Sequence, residues 1–368
     1  MKIAIDCTPL LLRSAGVKTV LYHWIRALQQ AAGGSRILLY PPVRRLGPLT
    51  HEASVAGRAE TWAGLLLAIA NQRLHAPLPD WLARGADVFH CTNQVRTPPR
   101  RIPVTATIHD LTCWKMPEFH ASANVRADRE FAERVLKRAA GLIAVSETTR
   151  RDAIEVLGIP PERVRTIYNG VADAYFDAPM PPPRLKPYVL FVGTIEPRKN
   201  VDRLLDAWEL LPADVRQEYD LLLAGGPGWH CEATLERLRR PPAGVRWLGY
   251  FPEAGMPELV RGAAMLVYPS LYEGFGLPVA QAMACAVPCI TSNRSCLPEI
   301  AGGVALLVNP ESPEEIRNAI LRLAEHPEER ARLGAAGRAR AEEWYRWERA
   351  ARESLQFFAE ITGRRAAE

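Results

Sequence analysis

Glu273-Gly274-Phe275-Gly276-Leu277-Pro278 combines residue types and spacing that could do chemistry, and the chemistry is anion binding. Its glycines let the main chain approach a ligand closely. Pro278 suits the first position of a helix, where its fixed φ is preset and its missing N–H costs nothing. Free amides at such a helix start attract anions. A carboxylate beside that cradle, Glu273, fits the binding of hydroxyls or the balancing of charge next to a phosphate-bearing ligand. Taken alone, the same residues also describe a plain Gly-rich strand–helix turn.

The elements that must position this turn can be read on either side of it. Met265 to Tyr268 is short and apolar, as a buried parallel strand should be, and Ala280 to Ala286 reads as a small-residue helix. Both halves of the chain alternate short apolar strands with amphipathic helices, the signature of parallel α/β sheets. Strands are expected at 2–6, 36–40, 87–90, 103–108, 141–145 and 164–167, then at 188–193, 220–224, 245–248, 265–268, 288–291 and 304–308. Val17, Val20, Leu21, Trp24, Ile25 and Leu28 recur at helical spacing and predict a helix over about 16–31. Residues 178–187 are proline-rich and read as a stiff linker. The expectation is two Rossmann-like domains, 1–178 and 188–349, with a last helix at about 341–361 and residues 350–368 packing back on the first domain. Ligands of such sheets bind at the carboxyl ends of the strands, so the natural site is a cleft between two parallel sheets that face each other.

A chain of 368 residues exceeds what one core usually supports, which agrees with two domains. The seven cysteines are odd in number, scattered and without a CxxC pair, as free thiols in a reducing compartment would be. Cys285 and Cys289 lack a His or Asp at metal-ligand spacing. The chain starts directly in a strand, without a signal peptide, and has no apolar run near the roughly 20 residues of a membrane span. A cytosolic protein is expected. Residues 1–170 hold 23 Lys+Arg against 14 Asp+Glu, and the rest 23 against 27. The basic half contains the apolar segment Trp62 to Ala70, with Arg44, Arg45 and Arg58 before it and Arg73 after it. Too short to span, it suits either a buried helix or contact with anionic headgroups or a lipid-linked substrate. No nucleic-acid motif accompanies the charge, so nucleic acid is not an expected partner.

In order and spacing, the motifs resemble the retaining glycosyltransferases of family 4, which have the GT-B fold. The resemblance rests on Gly16-Val17, Ile108-His109-Asp110-Leu111, Val145-Ser146-Glu147 and Asn169-Gly170-Val171 in the first half. In the second it rests on Gly193-Thr-Ile-Glu-Pro-Arg-Lys-Asn200, Leu223-Ala-Gly-Gly-Pro-Gly-Trp229, Tyr268 to Pro278, Leu297-Pro-Glu-Ile-Ala-Gly302 and Trp347-Glu-Arg. The GTIEPRKN version looks most like the bacterial branch rich in mannosyltransferases of surface polysaccharides and glycolipids.

That resemblance implies a substrate, a mechanism and a set of residue roles. The implied substrate is a sugar nucleotide, GDP-mannose favoured, and the acceptor a glycan or lipid-linked sugar on the cytosolic face of a membrane. The donor's diphosphate becomes more negative as the glycosidic bond breaks, and protein groups must stabilise it. No Asp-x-Asp occurs, so neither a metal nor another cofactor is expected. By the resemblance, Arg198 and Lys199 face the diphosphate, one as a planar fork and one as a point charge. The amides of Gly274, Phe275, Gly276 and Leu277 complete the leaving-group site. Glu273 sits near the donor sugar's hydroxyls. A second glutamate, common eight positions later, is Gln281 here, which keeps hydrogen bonding to the ribose without the charge. His109 faces the donor sugar, and Asp110 orients its neighbour. Gly16 lies against the phosphates or acceptor. Many relatives have a glycine where this chain has Lys18, which could add a phosphate contact or narrow the acceptor entrance. Asn169-Gly170 reads as a turn, and Tyr250 with Phe251 could wall the nucleobase pocket or be core aromatics. Neither a nucleophile nor the paired carboxylates of glycosidases stand out. Same-face attack by the acceptor is the implied route. A nucleotide-sugar 2-epimerase and a catalytically silent sugar-nucleotide-binding scaffold are the alternatives.

Overall fold

The computed structural model describes residues 1–14, 16–76, 78–92, 95–182 and 185–364. It divides into two units, each with its own parallel sheet. Unit 1 comprises Met1–Lys115, Ser122–Gly170 and Trp347–Glu368, and unit 2 comprises Met116–Ala121 and Val171–Arg346.

In unit 1 the strands are β1 (Lys2–Asp6), β2 (Arg36–Tyr40), β3 (Val88–Cys91), β4 (Val104–Ile108), β5 (Gly141–Ala144) and β6 (Val164–Thr166). They lie in the order β2-β1-β3-β4-β5-β6. Helix α1 (Gly16–Ala31) buries Leu21, Trp24, Ile25 and Leu28, one stripe at helical spacing. That stripe packs with Ala351, Phe357 and Phe358 of the C-terminal helix Trp347–Thr362, where Trp24 Nε1 donates to Ser354 Oγ at 3.0 Å. Burial of each such large side chain stabilises the unit by roughly 1.5–3 kcal/mol.

Unit 2 contains β7 (Tyr188–Val192), β8 (Asp220–Ala224), β9 (Val245–Gly249), β10 (Met265–Tyr268), β11 (Cys289–Ser292) and β12 (Leu306–Val308). Their order is β12-β11-β10-β7-β8-β9, the doubly wound order in which chain direction across the sheet reverses between β7 and β10. Sheets of this order commonly bind ligands at the carboxyl ends of the strands that flank such a reversal. The seven cysteines are free and buried.

Three expectations need correction. The boundary expected at 178 falls at Gly170–Val171, because Val171 N–H bonds to Tyr345 O at 2.7 Å and the buried Tyr175 and Phe176 belong to unit 2. Pro183 and Arg184 of the proline-rich segment lie outside the described residues. The single helix expected over 341–361 is two, Pro327–Trp344 and Trp347–Thr362. The break is at Tyr345, whose carbonyl takes the Val171 N–H and whose hydroxyl donates to Ile300 O at 2.7 Å. Finally, Met116–Ala121 groups with unit 2, where Trp229 Nε1 donates to Phe119 O.

Candidate active site

In unit 2 the loops after β7 and β10 carry the charged residues. After β7 the chain makes a 3-10 turn, Pro197–Lys199, closed by Asn200 at φ 62°. Asparagine tolerates that left-handed conformation better than most residues. Its side chain donates to Pro269 O at 3.0 Å and Pro310 O at 2.6 Å. The carbonyl of Arg198 accepts Leu271 N–H at 2.8 Å and Ser270 Oγ at 3.1 Å, so the two loops are stitched together.

Arg198, Lys199 and Glu273 meet across this seam. Arg198 Nη1 lies 2.8 Å from Glu273 Oε2, and its Nη2 lies 2.7 Å from Glu196 Oε1. Nη1 also donates to Tyr272 O at 2.7 Å. Lys199 Nζ lies 2.5 Å from Glu273 Oε1 and 2.6 Å from the Tyr268 hydroxyl. Tyr268 and Ser270 hydroxyls donate to the same carboxylate oxygen at 2.9 and 2.6 Å, and Glu273 N–H donates to Ser295 Oγ at 3.0 Å. Two partly buried cations and two buried carboxylates therefore form one charge-balanced cluster.

Burial alone would raise the Glu273 carboxyl, but Arg198 and Lys199 outweigh it and hold the group down at about 2. Burial, then repulsion from Arg198, lowers Lys199. Glu273 is thus an ionised anchor with its acceptors occupied, rather than an open carboxylate on a lip.

The glycine turn is close-packed. Gly276 has φ 82°, and a Cβ there would lie 2.6 Å from Leu297 Cδ2. The helix begins at Leu277, so Pro278 is its second residue rather than its first. Phe275 packs edge-on against Tyr345 at 5.6 Å, so only its main chain is left to serve a ligand. Gln281 is buried on that helix, whereas Tyr250 is 40 % exposed beyond β9. Among the described residues no cluster of His, Cys, Asp or Glu has the makings of a metal site.

Unit 1 holds the other expected residues. Gly16 is exposed at the first position of α1. His109 follows β4, and burial lowers it to about 4, although Asp110 pulls the other way. Asp110 Oδ1 accepts Thr112 N–H at 3.0 Å, which caps the next turn. Lys18 does not reach outward toward a phosphate. It is buried, and its ammonium donates to Leu12 O at 2.7 Å and Ala53 O at 2.5 Å. Asn169-Gly170 serves a packing role: a Cβ on Gly170 would lie 2.5 Å from the Trp347 ring.

The family model described as Glycosyltransferase Family 4 matches residues 14–175, and that described as Glycosyl transferases group 1 matches residues 178–340. The O-antigen chain mannosyltransferase B of Escherichia coli is 32 % identical over 308 residues, which cover 80 % of each chain. The chain belongs to the family 4, group 1 glycosyltransferases. Its fold is GT-B. Sucrose-phosphate synthase from Thermosynechococcus elongatus superposes with a TM-score of 0.72 at 22 % identity, over 99 % of both chains. WaaG, a glycosyltransferase involved in lipopolysaccharide biosynthesis, does so with a TM-score of 0.66 at 15 % identity, over 98 % of this chain and 100 % of its own.

Within this glycosyltransferase, Glu196, Tyr268, Ser270 and Ser295 are the members of the cluster that sequence reasoning passed over. Glu196 and Tyr268 stand inside motifs already singled out, and a carboxylate two residues before an arginine was the available signal.

Proposed function

We propose that this glycosyltransferase moves a hexosyl group, mannose from GDP-mannose favoured, to a glycan or lipid-linked acceptor with retention and without a metal. The observation that carries the reading is the Arg198–Lys199–Glu273 cluster at the β7/β10 switch point, together with the mannosyltransferase name of the relative that shares most of its length. O-antigen or related surface-polysaccharide synthesis is the matching setting.

As the glycosidic bond breaks, charge grows on the diphosphate, and preorganised cations stabilise it without reorganising. Arg198 offers a planar fork and Lys199 a compact charge, both fixed in advance by Glu273. The main chain from Gly274 to Leu277 supplies the remaining polar contacts. A carboxylate held at about 2 is a weak base and a poor nucleophile, so Glu273 is assigned to holding the cations. The acceptor then attacks on the face the leaving group vacates, and the departing phosphate takes its proton. His109, uncharged at neutral pH, lies by this reading beside the donor sugar. Gly16 and Asp110 flank the acceptor side, Tyr250 the base, and Gln281 the ribose.

The same reading places unit 1 against an anionic lipid surface. Helix α2 (Arg58–Arg73) exposes Trp62, Leu66 and Ile69 at 71, 64 and 50 %, and Leu74 and Trp81 beyond it are 76 and 73 % exposed. Exposed Arg44, Arg45, Arg58, Arg73 and Arg84 accompany this apolar row. Apolar insertion beside cationic side chains is how a peripheral protein binds such a surface.

Screening GDP-, UDP- and ADP-hexoses with a lipid-linked acceptor mixture, in chelator, tests the reading. The expected result is acceptor-dependent GDP release and an α-linked product. Loss of activity in chelator would overturn the metal-free mechanism, and epimerised donor without acceptor would favour an epimerase. Turnover found only in Gln281→Glu would favour a silent scaffold. Co-sedimentation with anionic vesicles should fall with salt, and indifference to both lipid charge and salt would end the membrane proposal.

A further inference from the structure

Unit 1 contains a second polar constellation, behind His109. Thr105, Thr107 and His109 alternate along the end of β4, so the strand directs all three to one face. On the neighbouring strand His90 is in register with Thr105. Its ring spans the ladder, with Nδ1 3.0 Å from Thr105 Oγ1 and Nε2 2.9 Å from Thr107 Oγ1. Trp24 at 4.9 Å and Phe358 at 5.5 Å confine it. Burial, then the neighbouring His109, lowers His90 to about 3, so the imidazole is neutral at physiological pH. A neutral imidazole donates from one nitrogen and accepts at the other. The row Thr105–His90–Thr107 therefore has a direction.

Thr107 and His109 share a cavity of about 30 Å³ with Thr92, Asn169 and Trp347. About 10–15 Å³ holds one water, so this space has room for a small hydrogen-bonding guest. Trp347 supplies an independent pointer. Its Nε1–H is buried and meets no protein acceptor among the described residues. An orphaned buried donor costs about 1–3 kcal/mol, which an acceptor inside the cavity would offset. Gly170 lets the Trp347 ring lie this close to the main chain beside Asn169. Two motifs without a place in the transfer chemistry, Asn169-Gly170 and Trp347, thus converge on one small space.

We infer that His90 is a positioning residue for His109, acting through one internal water that Trp347 Nε1–H, Asn169 and Thr107 hold in their common cavity. The water takes its polarity from the Thr105–His90–Thr107 row and fixes which nitrogen of His109 carries the proton. The catalytic consequence rests on the role proposed above for His109, whereas the tautomer itself does not.

The test is long-range ¹H–¹⁵N correlation on the full chain with ¹⁵N-labelled histidine at pH 7. His109 should show a single neutral tautomer. Thr107→Val removes the hydroxyl but keeps the shape, and Trp347→Phe removes the N–H. Each should average the His109 nitrogen shifts and lower kcat about tenfold at unchanged donor KM, the scale of one hydrogen bond. Thr107→Ser should restore both. A mixed tautomer in the unsubstituted protein, or His109 shifts unmoved by Thr107→Val, would overturn the inference. Full turnover in His109→Ala, with the His109 shifts still moved by Thr107→Val and Trp347→Phe in chains that keep His109, would instead remove His109 from the chemistry and leave the positioning intact.

Discussion

The two units solve opposite electrostatic problems. Unit 2 gathers four charges, Glu196, Arg198, Lys199 and Glu273, and cancels them against one another inside the protein. Unit 1 keeps two imidazoles uncharged and surrounds them with hydroxyls and aromatic rings. Buried charge is costly unless paired, so a site meant to receive an anion must hold its cations on carboxylates until the anion arrives. On the proposed reading the unit 1 site lies beside a sugar that develops positive charge, and neutral dipoles there neither repel it nor require counter-ions. Charge is held ready at the one site and kept off the imidazoles of the other, and substitution or acid should expose that contrast.

The largest effect belongs to the cations. Arg198→Ala or Lys199→Ala should lower turnover at least ~100-fold, the scale of one oxyanion-type donor. Near-normal rates in both would break the comparison at its stronger end.

Glu273→Gln removes the carboxylate that both cations share and leaves Arg198 paired with Glu196. Removing one partner of a buried ion pair costs about 3–5 kcal/mol, and urea unfolding at pH 7 should register it. The sign with pH follows from a folded value of about 2 against an ordinary 4.5. Glu273's contribution is present above about 4.5 and is lost as pH falls toward 2. A substitution without effect on unfolding would mean that the cluster is no anchor.

Unit 1 should fail first in acid. His90 sits at about 3 and His109 at about 4, both below the ordinary 6.5, so the unfolded chain binds protons that the folded one refuses. Their contribution is complete above about 6.5 and drains away as pH falls toward those folded values. At pH 5 the His90 loss is about 2 kcal/mol at 1.36 kcal/mol per pH unit. Hydrogen exchange at pH 5 should therefore accelerate in β3–β5 while the amides of β7 and β10 stay protected. Equal acceleration in both sheets would erase the distinction.

Much of this was legible in advance, for a definite reason. A strand buried on both faces is a short apolar run, and most of the twelve strands among the described residues are of that kind, so they could be read within a few residues. Glu273 stood out beside a glycine turn at a strand end, and Arg198 and Lys199 stood out through the family motif that contains them. Glu196 and Ser270 did not, since their part depends on β7 and β10 being neighbours, which no local pattern states. Tyr345 was hidden in a continuous helical periodicity. Its break comes from a hydrogen bond to Val171, 174 positions away in the chain. Lys18, which replaces a glycine of many relatives, could have added a phosphate contact or narrowed the acceptor entrance, yet its ammonium reaches inward to two carbonyl groups.

Two glycines sharpen the contrast at its small end. A Cβ on Gly170 would meet the Trp347 ring at 2.5 Å and its Cα at 2.7 Å, and main chain cannot swing aside as a flexible side chain can. Gly170→Ala should cost about 1–3 kcal/mol, visible as a lower Tm, and should disturb the His109 spectrum with it. Gly16 is the reverse case: a Cβ there would meet nothing within 4 Å among the described residues beyond its chain neighbours. Alanine at the start of α1 loses less backbone freedom on folding than glycine, so Gly16→Ala should leave stability unchanged or raise it by up to about 1 kcal/mol. Space that the fold does not use is space a ligand can use. Gly16→Ala should accordingly raise donor or acceptor KM several-fold while Tm holds or climbs. A variant equal to the parent in both would make Gly16 an idle glycine and leave His109 as the nearest tested boundary of the site in unit 1.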